Sequence, residues 1–114
     1  MSSRYYTVFP ATMASAGTLT GQVDLQHSWA NVYLEIPAMT NSVHFIKAAT
    51  DSGGTYRRIK HPAINSSTLT TNDYAIVSTA TNCLVPVPNG FRFVKVESEI
   101  AIADGAVYKF ICGD

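Results

Sequence analysis

The chain has 114 residues, 46% hydrophobic and 14% charged, with eight basic and eight acidic side chains. That is enough for one domain, able to bury roughly two-thirds of its unfolded surface without staples. Its supply of Val, Ile, Tyr and Phe at zero net charge is the reverse of a disordered composition. A balanced charge argues against direct DNA or RNA binding, which needs a concentrated basic face, and it leaves little self-repulsion to oppose association.

No run approaches the ~20 consecutive apolar residues of a membrane span. "MSSRYYTVFP" lacks the basic start and apolar core of a secretory signal, so the cytoplasm of the producing cell is the expected place of synthesis. Cys83 and Cys112 fall in apolar, strand-like contexts. Without secretion, free thiols are expected in preference to a disulfide.

Helical periodicity is nearly absent, and short strand-like runs recur between turn signals. Residues 1–17 read as a polar N-terminal arm, with three aromatics in "RYYTVFP" and no strand rhythm. Either the arm folds back over its own core, or it extends to clamp an adjacent subunit. "TLTGQVDL" (18–25) reads as the first strand. "ANVYLEI" (30–36) alternates, with Val32, Leu34 and Ile36 facing one way, and Pro37 stops it. "SVHFIKA" (42–48) follows. Asp51 to Gly54 supply a hairpin turn, and Thr55 to Lys60 return as a strand. Residues 62–73, "PAINSSTLTTND", read as a long polar loop.

"YAIVS" (74–78) and "CLVPV" (83–87) are short strands. In "VPVPNGFRFVKVES" (85–98) the prolines and Asn89-Gly90 preset a turn. The apolar phase then slips, because Phe91 and Phe93 share one face while Val94 and Val96 share the other. A bulge, or a strand covered on both faces, accounts for the slip. Asp104-Gly105 turns the chain into a closing strand, "AVYKFIC" (106–112). About eight short strands predict an all-β domain over residues 18–114, a single antiparallel, jelly-roll-like β-sandwich.

Reactive groups are scattered. His27, His44 and His61 show no zinc-ligand spacing and read as ordinary strand and loop histidines. Glu97 and Glu99 share a face if their strand is regular, but such a pair at a strand end is more often solvated, guarding an edge. No GxSxG or phosphate loop occurs, and Asn65-Ser66-Ser67 matches the glycosylation sequon by chance. No catalytic residue, cofactor or metal is expected, and the protein reads as a non-enzyme. "TYRRIKH" gathers three of the eight cations, Arg57, Arg58 and Lys60. The plain reading is a solvated hairpin; the functional one is an ion-pair patch for a neighbouring protein. Trp29, with Tyr33, Tyr56 and Tyr74, could stack on a sugar, but the four are dispersed and core packing is the better assignment for Trp29.

"TYRRIKHP", then "VPVPNGFRFVKVES", then "YKFIC" resembles a pattern among small virion proteins of tailed bacteriophages. There a hairpin strand reads something like "DGGTYRR", and a "P-NGFRY-KV" strand precedes a closing "G--FK-I--" strand. The resemblance covers roughly residues 30–114 and rests on framework residues. It implies a jelly-roll or related β-sandwich acting as a capsid cement or decoration protein. Such a protein would bind the major capsid protein at capsomer junctions on the outside of the head, as a dimer or trimer. Its contact candidates are Arg4, Tyr5, Tyr6 and Phe9 of the arm and Arg57, Arg58 and Lys60 of the hairpin. Charge reversal at Arg57 and Arg58 is expected to weaken attachment with little change in Tm. The alternative is a carbohydrate-binding module on the tail or baseplate, using Trp29 and Tyr56.

Overall fold

The computed structural model describes residues 6–39, 43–65, 68–77 and 82–114; Arg4 and Tyr5 lie outside them. The described residues form twelve strand segments. These are β1 (Tyr6–Met13), β2 (Gly17–Leu19), β3 (Val23–Asp24), β4 (Asn31–Ile36), β5 (Val43–Ala49), β6 (Arg57–Arg58), β7 (Lys60–Asn65), β8 (Thr68–Asp73), β9 (Ala75–Val77), β10 (Cys83–Pro86), β11 (Phe93–Ile102) and β12 (Ala106–Gly113). One sheet has the order β1-β12-β4-β10. The other has the order β2-β11-β5-β6, with β3 also on β11 and β9 also on β5. All these pairings are antiparallel. The protein is an all-β sandwich of two antiparallel sheets, and β7 and β8 form a separate hairpin.

The core follows from alternation. Val32, Leu34 and Ile36 of β4 and Tyr108, Phe110 and Cys112 of β12 turn inward from the first sheet. From the second, Ile46 and Ala48 of β5 meet them with Val94 and Val96 of β11. A polar contact crosses this interior. His44 Nε2 lies 2.9 Å from the Tyr108 hydroxyl, both residues being fully buried, and burial pushes the Tyr108 phenol up to about 12. Cys112 and Cys83 are free thiols, and burial pushes the Cys112 thiol up to about 11.

Four stretches differ from the sequence reading. Residues 6–13, expected within an arm, are strand β1, paired along its whole length with β12 from Tyr6↔Gly113 to Met13↔Ala106. The strand expected over 18–25 is broken into β2 and β3. Between them the buried Thr20 hydroxyl accepts the Val96 N–H at 3.0 Å and donates to Gly21 O, replacing ladder bonds. The return strand over 55–60 is reduced to Arg57–Arg58, because the chain pivots at Ile59, whose N–H donates to Ile46 O and whose carbonyl accepts from Tyr74 N–H. The loop expected over 62–73 is the hairpin β7–β8, in register from Lys60↔Asp73 to Asn65↔Thr68. Its Thr-rich composition suits a strand that needs no apolar stripe.

The phase slip in the 85–98 stretch comes from a strand covered on both faces, and the bulge-like register shift lies beyond it. Phe93 and Val94 are buried on opposite faces of β11, Phe93 beneath the Arg92 guanidinium. A register shift against β2 falls between Glu97 and Ile102. Asn89 latches the turn, its amide donating to the carbonyls of Trp29 and Ala30.

Gly105 makes the β11–β12 turn at φ +71, where a Cβ would sit 2.6 Å from the Met13 carbonyl oxygen. Gly105→Ala should therefore cost about 2 kcal/mol or more, from the left-handed backbone and the clash together. Urea denaturation should show a lower midpoint, and an unchanged midpoint would refute this account of the turn.

Candidate functional site

The outward face of the second sheet concentrates the charge. Register sets Lys95 of β11 directly opposite Lys47 of β5, and Lys47 opposite Arg58 of β6. Three cations thus form one row across three neighbouring strands. Like charges directly opposite each other destabilise a sheet, and contacts within the chain offset that cost at Arg58 and Lys95 but not at Lys47. Arg57, Lys60 and Tyr56 line the shallow groove beside the row, with Lys47, Arg58 and Asp73.

Three of these cations have contacts within the chain. Arg58 Nε donates to Glu97 at 2.7 Å and its Nη1 to Asp73 at 2.9 Å, while its guanidinium lies 3.8 Å above the Phe45 ring. The bonds to Glu97 and then Asp73 hold its pKa above the ordinary arginine value, and the same contact holds the Asp73 carboxyl below the usual carboxylate range. Lys60 Nζ stands 3.5 Å from the other Asp73 oxygen. At the end of the sheet, Arg92 is bonded to both oxygens of Asp24 and lowers that carboxyl's pKa. Lys95 has its ammonium 4.4 Å from the centre of the Tyr56 ring. Among the described residues, Lys47, Arg57 and Lys95 have no carboxylate partner. Lys47 and Lys95 therefore leave the face cations that its own acids do not neutralise, and Arg57, in register with the inward-facing Ala48, adds its charge from the edge of the sheet.

The predicted contact set is divided by the structure. Arg57, Arg58 and Lys60 come together here, although Arg58 is a structural anchor as well as a surface cation. Tyr6 lies far away on the outward face of the first sheet, exposed. Phe9 turns inward, its ring centroid 6.2 Å from that of Trp29. Lys47, Lys95, Asp73 and Glu97 complete the site. Sequence reasoning missed the first three as site residues, because register between distant segments assembles them.

Three of the four aromatics proposed for sugar stacking have partners within the chain, and the fourth, Tyr33, lies apart on the outward face of the first sheet. Trp29 packs against the core, its Nε1 donating to Leu25 O at 2.7 Å and its ring 3.9 Å from His27. The Tyr56 hydroxyl donates to Gln22, and the Tyr74 hydroxyl donates to Pro86 O. Of the carboxylate pair, Glu97 is engaged by Arg58 and Glu99 is exposed. Among the described residues, no three His, Cys, Asp or Glu side chains gather as a metal centre would require.

Comparison with protein-family models, curated proteins and solved structures finds no match to this chain.

Proposed function

We propose that this chain is a decoration protein of a tailed-phage head, a rigid binding block that attaches to the outside of the capsid shell and reinforces it. The resemblance of residues 30–114 to small virion proteins supplies the class. The observation that carries the reading is the row Lys95–Lys47–Arg58 with Arg57 beside it. A sheet that sets three cations in one register gives up stability, and at Lys47 an acidic partner surface offsets that cost once bound. The partner is the major capsid protein, approached through carboxylates at the junction of capsomers. The protein is made in the host cytoplasm and ends on the virion. Arginine's planar fork suits such carboxylates better than an ammonium does.

The test uses purified virions and heads stripped of this chain. Mass spectrometry should count the chain in a simple ratio to the major capsid subunit, in hundreds of copies. Lys47→Glu/Arg57→Glu should rebind stripped heads at least tenfold more weakly, with a Tm within a few degrees of wild type, since neither side chain has an internal ion-pair partner. Wild-type binding should weaken as salt rises, as expected for exposed charges. Undiminished attachment of the double variant would remove this face as the docking surface. A count of a few copies, or none, would remove the shell-wide role.

A further inference from the structure

The outward face of the first sheet is built differently. In a sandwich with one face on the core, the other normally carries polar residues. Here the outward positions of β1, β12, β4 and β10 are largely apolar. Val8, Ile111, Tyr33 and Pro86 lie side by side across the four strands. Tyr6, Val8, Leu84 and Val107 are 48%, 51%, 57% and 48% exposed. The Tyr6 ring lies against Gly113, where a Cβ would come within 2.7 Å of a ring carbon. The second sheet of the same protein shows the ordinary choice, with charges outward.

We propose that this face is a two-fold interface between two copies of the chain. The four strands carry two outward charges, Lys109 and Glu35, and register sets them directly opposite each other. Among the described residues, neither makes an ion pair. A two-fold axis through the face brings each one to its counterpart on the other copy, so the patch is complementary to itself. Both edge strands of this sheet carry a proline, Pro10 on β1 and Pro86 on β10, which blunts strand addition there.

Size also fits. Strands of eight, eight, six and four residues, at ~4.8 Å spacing and ~3.3 Å rise, give a face of about 400 Å² in projection. Protruding side chains raise that toward the ~800 Å² per partner of a stable complex. A chain of zero net charge adds no long-range repulsion. The proposal is independent of the capsid reading, since it concerns the opposite face of the sandwich.

Sedimentation equilibrium tests it without any capsid. From about 1 to 100 µM, a span suited to micromolar affinity, wild type should approach twice the 12.3 kDa chain mass. Val8→Glu and Leu84→Glu, on opposite edge strands, should each weaken self-association at least tenfold and still melt cooperatively. If one of them fails to fold, the other decides. Glu35→Lys and Lys109→Glu should each weaken the dimer, and their combination should restore it. A wild-type monomer throughout the range overturns the proposal, as does a trimer or a dimer that ignores both apolar-to-Glu variants. Failure of the combined swap to recover association overturns the two-fold pairing of Lys109 with Glu35.

Discussion

Phe110→Ala should be among the most damaging single substitutions in this protein, lowering stability by about 3–5 kcal/mol. The side chain is fully buried on β12, flanked in register by Phe9 of β1 and Leu34 of β4. Tyr108, two residues along the same face, is tied to His44 across the sandwich and cannot easily slide into the void. A site that cannot collapse keeps its cavity, and the lost contacts add to the lost transfer energy. Against a total stability of about 5–15 kcal/mol, the loss leaves little folded protein on heating, and Tm should fall by about 10–25 °C. Val77→Ala, at an exposed position of β9, provides the contrast and should change stability by no more than about 0.5 kcal/mol. Circular dichroism melts of the two variants would settle the matter. A Phe110→Ala protein melting within a couple of degrees of wild type would mean that the core is centred elsewhere.

The parts of this fold that were legible are those where one face had to be apolar. Val32, Leu34 and Ile36 announced β4, because alternation against a core leaves a period of two in the sequence, whereas "AVYKFIC" announced β12 only as a strongly apolar run. β1 left a weaker trace. Its inward residues are Phe9, Ala11 and Met13, its outward ones are also mostly apolar, and Pro10 stands in the middle. A strand apolar on both faces has no alternation to read, and the cause is the unusual outward surface of the first sheet. The β7–β8 hairpin was misread because Ser, Thr and Asn serve loops and solvated strands equally well. At the candidate site, Arg57, Arg58 and Lys60 were visible as a local run. Lys47 and Lys95 were not, since each is a single cation in an apolar strand and acquires its meaning from a partner in register.

That register also changes what a charge reversal at the hairpin should do. Arg58→Glu should lower Tm by several degrees, whereas Arg57→Glu should leave Tm nearly unchanged, so the two neighbouring arginines are not equivalent probes. Arg58 neutralises Glu97 and Asp73 together and covers the Phe45 ring. A glutamate in its place would leave three carboxylates around one point and uncover Phe45, a residue otherwise only 8% exposed. Arg57 faces solvent without a carboxylate partner among the described residues, so its reversal removes a surface charge and little else. Comparison of the two melts near neutral pH and again in acid separates the causes. In the folded protein Asp73 has its pKa depressed, so the stabilisation from its pairing is present above the ordinary carboxylate value near 3.8 and is lost as pH falls through the depressed one. The gap in Tm between Arg58→Glu and wild type should therefore be widest near neutrality and narrow in strong acid. A gap independent of pH would assign the loss to the uncovered Phe45 ring, and no gap at all would remove Arg58 as the anchor of this face.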